Sequence, residues 1–215
     1  MPFASLTLPE SLPGSREEAL GALQAEMRAC RHCLEAGFSI TPGAVFSGDA
    51  AAKVMIVGQA PGASECETGR PFNGPSGQRL FDWLAEAEWE ENDFRATQYL
   101  TAITKCYPGK SVGGKGDRAP TRVEQKHCAP FLEQELALMR PKVIVPVGGL
   151  AVRRFLGQVR LADVVGTVVE DGRGRWVVPL PHPSGVSLWL NRPENQARVA
   201  RALSHLRRLR RDLAL

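Results

Sequence analysis

Two short apolar runs, residues 53–58 (KVMIVG) and 142–148 (KVIVPVG), constrain this chain most. Each is continuous rather than alternating, and each ends in glycine. That pattern suits a strand buried on both faces and leaves too few residues for a helix. Around them the period changes. Residues 15–29 place Leu20, Leu23 and Met27 at helical spacing behind Ser15, with acids in the first turn. Residues 76–87 do the same with Leu80, Phe81 and Leu84, and residues 121–139 open with Thr121 and Glu124, the pair of a capping box. Further helices are expected over 149–156 and 194–213, and further strands over 98–105, 164–169 and 176–180. Strands alternating with helices predict an α/β fold with a central, mostly parallel sheet covered on both faces. Such sheets hold ligands beyond the carboxyl ends of their strands.

At 215 residues the chain is long enough for one such domain and short of two, so a single domain over 1–215 is expected. Residues 1–14, with three prolines and no period, read as an irregular arm. The 43% apolar and 23% charged residues are those of a soluble globular chain. No apolar run reaches the length of a membrane span, and the start lacks the basic-then-apolar form of a secretory signal. Membrane and export readings fall away, and a cytoplasmic monomer is expected. Lys and Arg number 27 against 23 Asp and Glu, a formal charge of +4 that does not by itself establish a nucleic-acid partner. The distribution is uneven. Arginines crowd the closing helix (Arg201, Arg207, Arg208, Arg210, Arg211), while residues 86–93 (EAEWEEND) are acidic. The basic helix reads equally as a solvated face or an anion-binding one.

The five cysteines, without an export signal, read as working thiolates rather than disulfides. Cys30 and Cys33 form a C-x-x-C pair, Cys106 and Cys128 flank a glycine- and lysine-rich loop, and Cys66 stands apart. Four thiolates suit zinc or an iron–sulfur cluster, and their spacing leaves both open. Two loops follow strands directly. Residues 58–77 (GQAPGASECETGRPFNGPSG) can aim backbone N–H groups at a ligand, and residues 179–191 hold His182 between prolines, as suits a fixed donor to developing negative charge.

GQAPG, TGRPFNGPSG, KCYPGK and HPSG, in that order and joined to the four cysteines, resemble the uracil-DNA glycosylase superfamily, and its iron–sulfur families four and five in particular. The resemblance runs from Cys30 to about Trp189. It implies a three-layer α/β/α fold on a four-stranded sheet. It also implies an enzyme that flips a damaged base, uracil first, out of DNA and hydrolyses its N-glycosidic bond. In such an enzyme Phe72 would stack on the base and His182 would donate to the uracil carbonyl. The stretch Gly58, Gln59, Ala60, Pro61 and Gly62 would position water and face the base. Ser184 would line the site, Leu188 would fill the gap in the DNA stack, and Arg192 would support it on the phosphate; Val186, Trp189 and Leu190 are apolar neighbours. Cys30, Cys33, Cys106 and Cys128 would ligate a structural 4Fe-4S cluster, in preference to zinc. Lys105, Lys110, Lys115 and Arg118 are candidates to grip phosphate.

This chain also departs from the pattern. Ala60 stands where many relatives carry Asp or Asn. Family four has an acid at Gln59, an Asp at Cys66 and its uracil-reading Asn at Ala102; family five has Ala there and an Asp near Asn73 or Pro75. Asn73, whose amide matches the O4 and N3–H edge of uracil, and Glu65, an acid in the first loop, are the residues left to restore these functions. Other readings are a DNA-binding homologue with weakened catalysis, a glycosylase for a different damaged base, and a zinc or redox protein.

Overall fold

The computed structural model describes residues 14–113, 116–184 and 188–215. All but the last residue of the expected arm, together with Lys115 and Val186, lie outside these. In chain order the elements are helix α1 (Arg16–Ala29), α2 (His32–Glu35), strand β1 (Val54–Gly58), α3 (Ala63–Thr68), α4 (Pro75–Glu86), α5 (Glu91–Thr97) and β2 (Tyr99–Ala102). There follow α6 (Arg122–Met139), β3 (Val143–Pro146), α7 (Gly149–Leu156), α8 (Leu161–Val164), β4 (Val169–Glu170), β5 (Trp176–Val177), a 3-10 turn (Leu188–Asn191) and α9 (Pro193–Asp212).

The strands order as β2-β1-β3-β5-β4. β1 pairs in parallel with β2 and β3, β3 with β5 likewise, and β4 runs antiparallel at the edge. The two glycine-ended runs thus lie at the sheet centre. Their alternation makes the layers: Val54, Ile56, Val143 and Val145 face a core with α4, α5 and α9, while Met55, Val57 and Ile144 face one with α1 and α6. The result is α/β/α, as expected, with five strands rather than four.

Three segments differ from their sequence reading. Residues 164–169 were expected as a strand, yet only Val169–Glu170 pairs. Gly166, at φ 92, turns the chain where a Cβ would meet the Arg198 carbonyl at 2.9 Å, and that bend interrupts the apolar run. Strand β2 stops at Ala102, because the amides of Ile103 and Thr104 turn to the carbonyls of Gly58 and Gln59. The acidic stretch leads into α5, whose first turn it supplies and whose N-terminus the Glu90 side chain caps. Glu88 beside it faces Arg207, Arg210 and Arg211 of α9. Those arginines are engaged within the fold, which favours the solvated-face reading of the helix.

The expected phosphate-gripping cations are also engaged internally. Lys110 pairs with Asp117 at 3.0 Å and Arg118 with Glu124 at 2.6 Å. Lys105 is buried. Its Nζ donates to Glu135 Oε2 at 2.6 Å, to Thr101 Oγ1 at 2.7 Å and to the Ala102 carbonyl at 2.7 Å. Glu135, fully buried on α6, also accepts from the Tyr99 hydroxyl at 3.1 Å. Lys105→Met would leave that carboxylate buried without its cation. A loss of about 3–5 kcal/mol in urea unfolding is expected; a loss no larger than that of an exposed pair would disprove the network's role.

Candidate functional site

A cavity of about 560 Å³ opens at the carboxyl edge of β1, β2 and β3. Its position follows from topology: the chain leaves β1 toward β2 on one side and pairs β3 on the other, so the loops diverge and leave a crevice. From β1 come Gly58, Gln59, Ala60, Pro61 and Gly62, then Glu65 of α3 and Phe72. β2 supplies Thr101 and Ala102, the turn after β3 supplies Gly148 and Gly149, and the segment after β5 supplies His182 and Ser184.

Phe72 is held in its turn by Arg95, with Gly77 and Gly58 leaving it room. Its φ of 52 lies in the left-handed region, which costs a non-glycine residue about 1–3 kcal/mol. Arg95 offsets this by donating to the carbonyls of Pro71 and Phe72, each at 2.8 Å, while its guanidinium stacks on Phe81 at 4.2 Å. Gly77 makes room for the strained turn, since a Cβ there would lie 1.9 Å from the Phe72 carbonyl oxygen. Gly58 makes room for the ring, its would-be Cβ standing 3.0 Å from Phe72 Cζ.

His182 is open to the cavity but ringed closely enough that desolvation holds its pKa below the ordinary value, against a smaller opposing pull from Glu65. The Ser184 amide donates to Nδ1 at 3.2 Å. The neutral imidazole therefore carries its proton on Nε2 and presents it as a donor. Glu65 serves the turn: its Oε2 accepts from the Gly62 amide at 3.0 Å and caps α3.

Asn73 is not among the residues lining this cavity; its side-chain amide donates to Thr68 Oγ1 at 3.4 Å, just beyond the left-handed Phe72. Leu188 and Arg192 also stand away from the cavity lining. Leu188 is 79% exposed at the start of the 3-10 turn, and Arg192 caps α9 through its backbone with its side chain exposed. Trp189 and Leu190 pack against the core. Asp117 and the Gly148–Gly149 pair line the cavity without having been singled out, and Arg118, one of the phosphate candidates, lines it as well. A double glycine directly after a buried strand was the available signal for the pair, and an acid inside a basic loop was the signal for Asp117.

Cys30, Cys33, Cys106 and Cys128 line a second, smaller cavity together with His127 and Glu124. They arrive from the end of α1, from α2, from the segment after β2 and from α6; Cys66 is elsewhere, on α3. Burial, then Cys128, Glu124 and Cys30, push the Cys33 thiol up to about 11. Burial also pushes Cys106 to about 11, against a hydrogen bond from the Gly43 backbone, with the other three thiols adding to the rise. Thiols so placed stay protonated unless a cationic group lies among them, and a soft four-thiolate set fits an iron–sulfur cluster or zinc. Among the described residues no group of three or more His, Cys, Asp or Glu side chains is gathered to hold a single metal ion.

The sequence profile of the Uracil DNA glycosylase superfamily matches residues 45–207. A type-4 uracil-DNA glycosylase of Thermotoga maritima is 30% identical over 79% of this chain and 84% of its own. One from Archaeoglobus fulgidus is 30% identical over 82% and 86%, and a type-5 uracil-DNA glycosylase of Pyrobaculum aerophilum is 33% identical over 66% and 65%. The site geometry makes a prediction independent of these likenesses. Gly77→Ala should lower stability by about 1–3 kcal/mol in thermal unfolding, because its methyl collides with backbone. Gly21→Ala, with nothing within 4 Å on α1, should instead raise it by up to about 1 kcal/mol. Equal effects would show that the Phe72 turn does not depend on Gly77.

Proposed function

The chain belongs to the uracil DNA glycosylase superfamily, and from that premise we propose that it excises uracil from DNA by hydrolysing the N-glycosidic bond. The carrying observation is that Phe72, His182 and the 58–62 loop face one cavity at the carboxyl edge of the sheet. A base swung out of the stack would lie against the Phe72 ring. His182 would donate from Nε2 to a uracil carbonyl, and the donation strengthens as negative charge grows on the departing base. The loop from Gly58 to Gly62 holds the water. Leu188 is assigned the gap left in the DNA, supported by its exposure, with Arg192 nearby for phosphate. Ala102, where family four reads uracil with Asn, lines the cavity, and Asn73 lies outside it. The reading edge is therefore left to the backbone of the 58–62 loop and to His182.

The same proposal gives Cys30, Cys33, Cys106 and Cys128 to a 4Fe-4S cluster, supported by their shared cavity and soft donor set. When bound, the cluster supplies a cross-link. The residues it would join are the end of α1, the segment after β2 and α6, whose packing shapes the wall behind Ala102.

A release assay on uracil-containing oligonucleotides, single- and double-stranded, tests the activity. His182→Ala should slow single-turnover cleavage by about 10²–10³-fold. An unchanged rate would remove His182 from the mechanism. A wild type that binds such DNA but releases nothing would instead identify a weakened homologue, the reading that Ala60 and Ala102 favour. The cluster has its own check. The purified protein should be brown, with the colour lost on Cys→Ser change at any of the four positions and kept in Cys66→Ser. A colourless, zinc-loaded wild type would refute it.

A further inference from the structure

The cavity holds an acid with no role so far. We infer that Asp117 is the carboxylate that takes the proton from the attacking water and faces the positive charge growing on the sugar. This rests on the glycosylase reading and names a residue for it.

The two oxygens of Asp117 differ in their surroundings. Oδ1 accepts from the Tyr107 hydroxyl at 2.8 Å and from Lys110 Nζ at 3.0 Å. A backbone bridge between Lys110 and Asp117 fixes the same turn. Oδ2 takes no hydrogen bond among the described residues and looks across at the 58–62 loop: a methyl group at Gly62 would lie 3.1 Å from it. One oxygen thus anchors the carboxylate while the other is free to face a water held at the loop. The other acid at this place, Glu65, has its Oε2 on the Gly62 amide at 3.0 Å, and its Oε1 lies toward Gly74, 3.9 Å from where a methyl group there would stand. The Ala60 side chain offers no polar atom. Asp117 is therefore the cavity carboxylate whose unbonded oxygen faces the 58–62 loop.

The chemistry suits that placement. Cleavage of a glycosidic bond passes through a sugar with oxocarbenium character, which a nearby carboxylate stabilises. The water oxygen bonds to the anomeric carbon as the bond from that carbon to the base breaks. The electron pair of the broken bond leaves with the base, whose charge His182 Nε2–H meets. One water proton passes to Asp117 Oδ2 and on to solvent, and the other stays as the hydroxyl of the abasic sugar. The charged or titratable groups around Asp117 are Tyr107 and Lys110 on its own loop, Arg118 beside it, Glu65 across Gly62, and His182 on the cavity wall. Lys110 Nζ and the Tyr107 hydroxyl both donate to Oδ1 and hold the carboxylate in this orientation.

Single-turnover cleavage of a uracil oligonucleotide at saturating enzyme tests this. Asp117→Asn keeps the Oδ1 acceptor and loses the charge. Its rate should fall by about 10²–10⁴-fold, with binding of the same oligonucleotide and thermal unfolding unchanged. Asp117→Glu restores a carboxylate and should recover at least about tenfold of that loss. A purely structural Asp117 would give the same rate with an amide as with a carboxylate. Cleavage by Asp117→Asn within about threefold of wild type overturns the assignment. So does a folded Asp117→Ala that cleaves within about threefold of wild type, which decides the matter if Asp117→Asn fails to fold. Wild type that releases no uracil sinks the glycosylase reading and this inference with it; an active wild type with an unaffected Asp117→Asn sinks the inference alone.

Discussion

The buried pair of Lys105 and Glu135 organises everything that surrounds it. The ammonium ties Thr101 and the Ala102 carbonyl, which belong to the floor of the large cavity. The backbone of the same residue hydrogen-bonds Cys128 and holds its thiol from rising further with burial. One residue therefore joins the end of β2, α6 and the cysteine cavity. An ion pair taken wholly out of water needs all its partners, and Lys105 and Glu135 have them: a hydroxyl, a carbonyl and a phenol complete the set. The two cavities are thus parts of one rigid wall, and a cluster among the cysteines would brace the wall against which a base is received.

The opposite wall works by strain rather than charge. Phe72 is held in the left-handed region by Arg95 pulling on two successive carbonyls and by two glycines that leave space. An aromatic ring on a loosely held loop would lose rotational freedom on capturing a base; one already fixed does not. The arrangement explains why the glycine-rich stretch contains so few interchangeable positions. Gly58 and Gly77 are set by contact with Phe72, while Gly69, open on all sides, is set by its turn alone.

Much of the fold was legible because its signals are local. The glycine-ended runs became the central strands, Ser15 with Glu18 and Thr121 with Glu124 formed capping boxes, and β1 and β3 alternated between two cores as their period required. The misreadings share a cause. The 164–169 run looked like a strand by composition, yet Gly166 packs against Arg198 from a distant helix. Lys105, Lys110 and Arg118 were read as candidates to grip phosphate, and their internal partners Glu135, Asp117 and Glu124 meet them only in three dimensions. The direction of the Asn73 side chain was not legible because it depends on the unusual backbone of the residue before it.

The sequence by itself determined the alternating α/β order, the placement of two loops at one sheet edge, the set of four cysteines and the identity of Phe72 and His182. Each follows from spacing, composition or a short motif, and none needs a partner from afar. Only the tertiary structure decided which atoms of those residues are free. His182 carries its proton on Nε2 because Ser184 donates to Nδ1, Glu65 is engaged by Gly62, and Asp117 has one oxygen anchored and one open. A side chain's chemistry depends on which of its hydrogen-bonding positions are already filled, and most of those partners are assigned by packing between elements far apart in the chain.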